Sequence, residues 1–207
     1  MSYAMLLHTL RRFSGSIFFA IAMGVAANGV TAPLAEEGKA QLPGDSIYQL
    51  PASLTDQDGQ TFNLSSLRGR PVIVSMFYHS CQFVCPMLID TLRMTQDSLP
   101  PEERGRVSFL IVTFDPARDD VAVLKSVAEA HKLDRQQWTV ARTNPIMVRK
   151  LAAVLGIQFR LLANGDYNHS TTLILLDAQG RIVGRTAKLG AVDNEFRQLV
   201  QQTAQRK

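Results

Sequence analysis

Residues 72–88 read VIVSMFYHSCQFVCPML, and this stretch decides the fold. Val72–Tyr78 is a continuous apolar run rich in β-branched and aromatic side chains, flanked by Gly69, Pro71 and Ser80. Such a run, without polar alternation, predicts a strand buried on both faces in the middle of a sheet. A proline disfavours helical geometry in the residue before it and suits the first turn of a helix. A helix is therefore expected from Pro86 to Ser98, capped by Cys85, with Cys81 in the loop above. Cys81 and Cys85 are the two cysteines of the 207-residue chain. They cannot form a disulfide framework, so they are either a single pair or a working site.

Outward from this centre the pattern alternates. Val107–Phe114 (VSFLIVTF) predicts a second buried strand. Asp119–Lys132 carries Val123, Leu124, Val127 and His131 at helical spacing. Trp138–Ala141 predicts a short strand, and Pro145–Leu155 a helix with Asn144 as N-cap. Thr171–Leu176 and Arg181–Thr186 read as a hairpin around Asp177-Ala178-Gln179-Gly180, and Val192–Gln202 as a last amphipathic helix. On the N-terminal side, Leu54–Leu67 reads as a hairpin turning at Asp58-Gly59. Residues 33–52 read as an extended lead-in. Buried strands separated by helices, closing with a hairpin and a helix, predict an α/β fold. Its central mixed β-sheet is flanked by helices, with an N-terminal β-hairpin extension, in one domain over residues 53–207.

A 46% hydrophobic share with 19% charged residues excludes a disordered chain. Arg11 and Arg12 precede the apolar stretch Phe13–Ala27 and small residues such as Val30-Thr31-Ala32, the pattern of a secretory signal. Residues 1–32 are therefore expected to be a signal peptide or an N-terminal membrane anchor, and the remainder to be exported. The formal net charge is +4. After Ala32 there are 20 basic and 18 acidic residues, a net of +2, and the basic ones are scattered. No nucleic-acid partner is expected, because that footprint needs clustering on one face.

Two sulfurs four residues apart can close a disulfide or grip a soft ion. A stabilising disulfide fits poorly, since so short a loop removes little unfolded-state entropy. Two thiolates do not complete a zinc site, which takes four ligands, whereas copper(I) is satisfied by fewer. A thiolate at a helix N-terminus is favoured by unpaired amides and the helix dipole. Among the histidines, His8 falls in the signal segment and His131 on a helical stripe, while His79, two residues before Cys81, is within reach of a metal but fits a structural role better. His169 stands directly before the strand at Thr171–Leu176; residue type alone leaves its ligand role open.

Phe77-Tyr78-His79-Ser80-Cys81-Gln82-Phe83-Val84-Cys85-Pro86 resembles the CxxxCP signature of the SCO/SenC family of copper-handling, thioredoxin-like proteins. Val112–Asp119 (VTFDPARD) resembles that family's DPxRD segment. His169 followed by Ser170–Asp177 resembles its ligand histidine before a strand, and Asp177-Ala178-Gln179-Gly180 its D-x-x-G turn. The likeness covers roughly residues 45–203. It implies a thioredoxin-like fold in which Cys81, Cys85 and His169 bind one copper ion, Cu(I) or Cu(II). Asp115 is implied to lie behind the metal site or to face a partner. The implied role is a periplasmic copper chaperone that helps assemble the binuclear copper centre of cytochrome c oxidase. Its partner would be the copper-bearing oxidase subunit or another periplasmic copper or thiol protein. One departure is plain: many members carry Pro and Asp after the first cysteine, where this chain has Gln82 and Phe83.

A second function class stays open: a thiol–disulfide oxidoreductase cycling Cys81 and Cys85. The usual redox pair is C-x-x-C. Three intervening residues, and Asn168-His169-Ser170 where such enzymes place a cis-proline, favour a metal.

Overall fold

The computed structural model describes residues 41–81 and 84–206. The expected signal or anchor at 1–32 lies outside the described residues. Among the described residues, nine strands and five α-helices follow the order β1 Ser53–Asp56, β2 Thr61–Asn63, β3 Val72–Phe77, α1 Val84–Asp97, α2 Pro101–Arg104, β4 Ser108–Thr113, α3 Val121–Ala130, β5 Trp138–Arg142, α4 Pro145–Leu155, β6 Phe159–Leu161, β7 Tyr167–His169, β8 Leu173–Leu176, β9 Ile182–Thr186 and α5 Asn194–Gln205. Seven strands form one mixed sheet in the order β2-β1-β5-β4-β3-β8-β9. Strands β3, β4 and β5 run parallel, while β1 and β8 join them antiparallel. Among the described residues no helix is long and apolar enough to cross a membrane.

The apolar runs explain the centre. All six residues of β3 are buried, and five of six in β4. Side chains alternate between faces, so both faces of the sheet are covered. Phe109 and Trp138 stack across β4 and β5 with ring centroids 4.5 Å apart. The α4 boundaries follow their local signals: the Asn144 side chain accepts from Met147 N–H at 2.9 Å, and Gly156 closes the helix in the left-handed region at φ 69°.

Three features differ from the sequence expectation. Helix α1 begins at Val84, two residues before Pro86, so Cys85 lies inside the first turn. First-turn N–H groups have no intrahelical partner, so proline there forfeits no hydrogen bond. The expected lead-in is not extended throughout, since Ile47–Gln49 form a 3₁₀ turn capped by Ser46. Ile47 N–H donates to the Gly180 carbonyl at 3.0 Å, and Ile47 and Tyr48 are buried. The hairpin β6–β7, a separate two-stranded sheet, had no periodic signal because each strand is only three residues long.

Gly180 is required at its turn. Its φ is +79°, and a Cβ there would stand 2.5 Å from the Tyr48 ring. Gly180→Ala is expected to destabilise the domain by roughly 2 kcal/mol or more, measured by urea denaturation, because strain and overlap add. A loss below about 0.5 kcal/mol would show that the Tyr48 seat is loose.

Candidate metal centre

Strand register brings three loops to one edge of the sheet. Phe77, the last residue of β3, pairs with Thr113, the last of β4, because the strands are parallel. The DPxRD loop therefore leaves the sheet beside the cysteine loop. Strand β8 is antiparallel to β3, with Val72 opposite Leu176 and Val74 opposite Ile174. The start of β8 thus lies at the end of β3, and the chain entering β8 carries His169 to the cysteines. Topology supplies the proximity that residue type left open.

The ligand atoms of Cys81, Cys85 and His169 all lie within 4.8 Å of one another. Both cysteines are thiols. Cys85 is buried in α1, while Cys81 is half-buried in the preceding loop. The Cys85 backbone N–H points at the Cys81 sulfur at 3.4 Å. The helix N-terminus thereby favours negative charge on Cys81. Burial, followed by the nearby Cys81 sulfur, holds the Cys85 thiol well above its ordinary range. A cation held by both sulfurs would offset those costs for the ionised pair. A shallow apolar cleft of about 230 Å³ opens beside the sulfurs, between α1 and α3, with Phe77, Ile89, Val127 and His131 on its walls.

His169 is the end of β7. Its Nδ1 lies 3.3 Å from the Ser170 carbonyl and 3.4 Å from the Thr171 hydroxyl; a proton on Nδ1 satisfies the carbonyl and leaves the lone pair on Nε2. Burial pushes its pKa below the ordinary histidine range, which keeps the imidazole neutral and able to ligate. The ring is edge-on to Tyr78 (5.7 Å, 89°) and tilted against Phe114 (5.0 Å). Tyr167 meets both Tyr78 and Phe114, and Phe159 stacks on Phe114. This aromatic box fixes where the imidazole can stand.

Asp115 is 3% exposed, and its carboxylate pairs with the Arg118 guanidinium. Its carboxylate is almost wholly covered, in the loop that leaves the end of β4. Arg118 also donates to the Gly165 carbonyl at 2.8 Å and lies over the Tyr167 ring at 5.6 Å. The DPxRD loop therefore braces the hairpin that bears His169. Asp119, also buried, accepts from the His79 backbone N–H at 3.1 Å and from the Thr113 hydroxyl, fixing the turn that leads into Cys81. His79 itself is exposed, and its side chain is not among the clustered ligand atoms. His131 caps α3 and lies 3.7 Å from Asp90.

Sequence reasoning missed the supporting shell: Tyr78, Phe114, Phe159, Tyr167, Arg118 and Asp119. Arg118 and Asp119 were visible as members of the DPxRD segment. The four aromatic residues come from separate stretches, and only the folded register unites them.

Fold and site together define a thioredoxin-like domain that presents a cysteine–cysteine–histidine cluster suited to one soft metal ion. Residues 41–204 match the SCO1/SenC family, and the chain belongs to that family. It is 30% identical over 183 residues to a Stutzerimonas stutzeri protein named "Putative copper-binding protein", covering 86% of this chain and 87% of that one. Its fold is similar to that of Bradyrhizobium japonicum ScoI with copper bound, at TM-score 0.63 and 22% identity, over 74% of this chain and 97% of that one. It is also similar to BsSco, a member of the Sco family of cytochrome c oxidase assembly proteins studied for a disulfide switch. That likeness has TM-score 0.64 and 20% identity, over 76% of this chain and 93% of that one.

Replacing Arg118 by Met is expected to speed amide hydrogen exchange severalfold across residues 159–169, where the Gly165 tie is lost. Unchanged protection there would remove Arg118 from the bracing role.

Proposed function

We propose that this chain is a copper-carrying assembly protein, exported to the periplasm, that holds one copper ion through Cys81, Cys85 and His169. It passes the ion to the binuclear copper site of a cytochrome c oxidase. The observation that carries this reading is the convergence of two sulfurs and one imidazole within 4.8 Å. Two thiolates and a neutral imidazole make a soft, low-coordinate set matched to Cu(I). The copper-binding relative in Stutzerimonas stutzeri and the oxidase-assembly description of BsSco support the cargo and its destination. Export rests on the N-terminal sequence pattern alone.

The chain's own residues divide the work. Cys85 is the buried anchor, Cys81 the accessible sulfur, and His169 the donor carried on a separate hairpin. The Ser170 carbonyl, 3.3 Å from Nδ1, favours the tautomer that leaves Nε2 as the donor. A carrier must release its cargo, and an accessible thiolate with a hairpin-borne imidazole lets incoming donors replace these ligands one at a time.

A second reading, thiol–disulfide exchange, is favoured by one observation. The Cys85 N–H directed at the Cys81 sulfur is the arrangement that activates an attacking thiolate. Copper binding and disulfide formation then exclude each other at the same pair, since the metal needs both sulfurs reduced.

Three outcomes are expected from competition titration with a Cu(I) chelator. Cys81→Ser and Cys85→Ser each lose tight Cu(I) binding, and retention by either refutes the two-thiolate site. His169→Ala binds Cu(I) about tenfold or more weakly, since losing even an outer-shell partner of a metal site costs about 10–100-fold, while its disulfide still forms. Affinity also rises with pH. Cys85 carries its proton at neutral pH because its pKa is raised, so copper must displace that proton, giving about a tenfold gain per pH unit. The lowered pKa of His169 means imidazole protonation weakens binding only below the ordinary histidine range. A pH-independent affinity between about pH 6 and 8 would contradict thiolate ligation by Cys85.

A further inference from the structure

A groove of about 660 Å³ lies between α4, the DPxRD loop and hairpin β6–β7, behind the metal edge. Its floor is apolar, with Phe114, Val148, Ile157 and Phe159 among the lining residues. Its charge is one-sided. Arg149 and Arg160 line it, and Arg142 lines the adjoining hollow that shares Pro116, Ala117 and Pro145. The one acid on these walls, Asp115, is already paired with Arg118. Arg142 donates to the Pro116 carbonyl, whereas Arg149 and Arg160 are exposed and have no ion-pair partner among the described residues. Since the chain after Ala32 has a net charge of only +2, this clustering is local and does not mirror the whole surface. Leu161, 57% exposed, lines the same groove, and Ile146, 70% exposed, follows Pro145 at its rim.

We infer that this groove docks an acidic, apolar-bearing extended segment of the protein that exchanges copper with this chain. Unpartnered arginines over an apolar floor favour carboxylates flanking a leucine-like side chain. Concavity favours a peptide over a membrane, because a bilayer surface cannot follow the floor between a helix and a hairpin. The position gives docking a purpose. Phe159 on the groove wall pairs directly with His169 across β6–β7, so a segment seated there lies against the back of the hairpin that carries the third ligand. The identity of the partner as a copper exchanger rests on the proposed function; the groove and its charge do not.

The test uses the full chain, labelled peptides and fluorescence anisotropy, with copper absent. The probes are a short peptide alternating glutamate and leucine, its lysine–leucine counterpart, a glutamate–serine peptide, and vesicles of neutral or anionic phospholipid. The glutamate–leucine peptide is expected to bind best, more weakly as salt rises, and roughly tenfold more weakly to Arg149→Glu/Arg160→Glu. Leu161→Asp, also at an exposed position, is expected to weaken it severalfold. Both variants should keep the wild-type circular dichroism spectrum and Cu(I) affinity. The Cys81→Ser/Cys85→Ser protein is expected to bind the peptide unchanged, which separates failure of the copper reading from failure of the groove. Equal binding of the lysine–leucine peptide, insensitivity to the arginine reversals, or arginine-dependent binding of anionic vesicles in preference to the peptide would each overturn the inference.

Discussion

The pairing of β3 with β4 on one side and β8 on the other is the constraint on which the site depends. Parallel register sends the cysteine loop and the DPxRD loop out of the same sheet edge, and antiparallel register returns the chain there before β8. A one-residue slip in either ladder would turn every side chain of the strand to the opposite face. With β3 buried on both faces, such a slip gains nothing and disrupts packing. The apolar core therefore fixes the geometry of the cysteine–cysteine–histidine cluster indirectly, through the strand ends it positions.

Within that frame the three donors are held by unlike means. Cys85 is fixed by helix α1 and the core around it, Cys81 by the turn that Asp119 pins and by the amide of Cys85. His169 stands by aromatic contact and by the Arg118 bridge to the hairpin turn. The Asp115–Arg118 pair joins a buried carboxylate to an exposed guanidinium and is better understood as a strut than as a source of stability. A partly solvated ion pair adds at most about 1 kcal/mol, whereas the carboxylate left alone would be buried without its cation.

The centre of the fold was legible because its strands are long, apolar runs and its helices carry local signals: Asn144 and Pro145 at one start, Gly156 at one end. The cysteine loop was legible for the same reason, as a strand running into a proline-marked helix. The true start of α1 was not, because a proline rule read from Pro86 alone ignores that first-turn amides are dispensable. The hairpin bearing His169 was invisible to periodicity, since three-residue strands supply none. Residue type could nominate the histidine, and the family motif implied its role, but only the antiparallel return of β8 explains its nearness to the sulfurs. The aromatic box lay beyond reach altogether. Tyr78, Phe114, Phe159 and Tyr167 gain their meaning from register, not from spacing.

Hairpin β6–β7 is not hydrogen-bonded into the seven-stranded sheet. Its excursions therefore break the Arg118 tie to Gly165 and the aromatic contacts with Tyr78 and Phe114, while the main ladders stay closed. The imidazole can loosen its grip without any rise in global unfolding. Movement at the site and thermal endurance are in this way separate properties of the molecule, open to independent adjustment by natural selection.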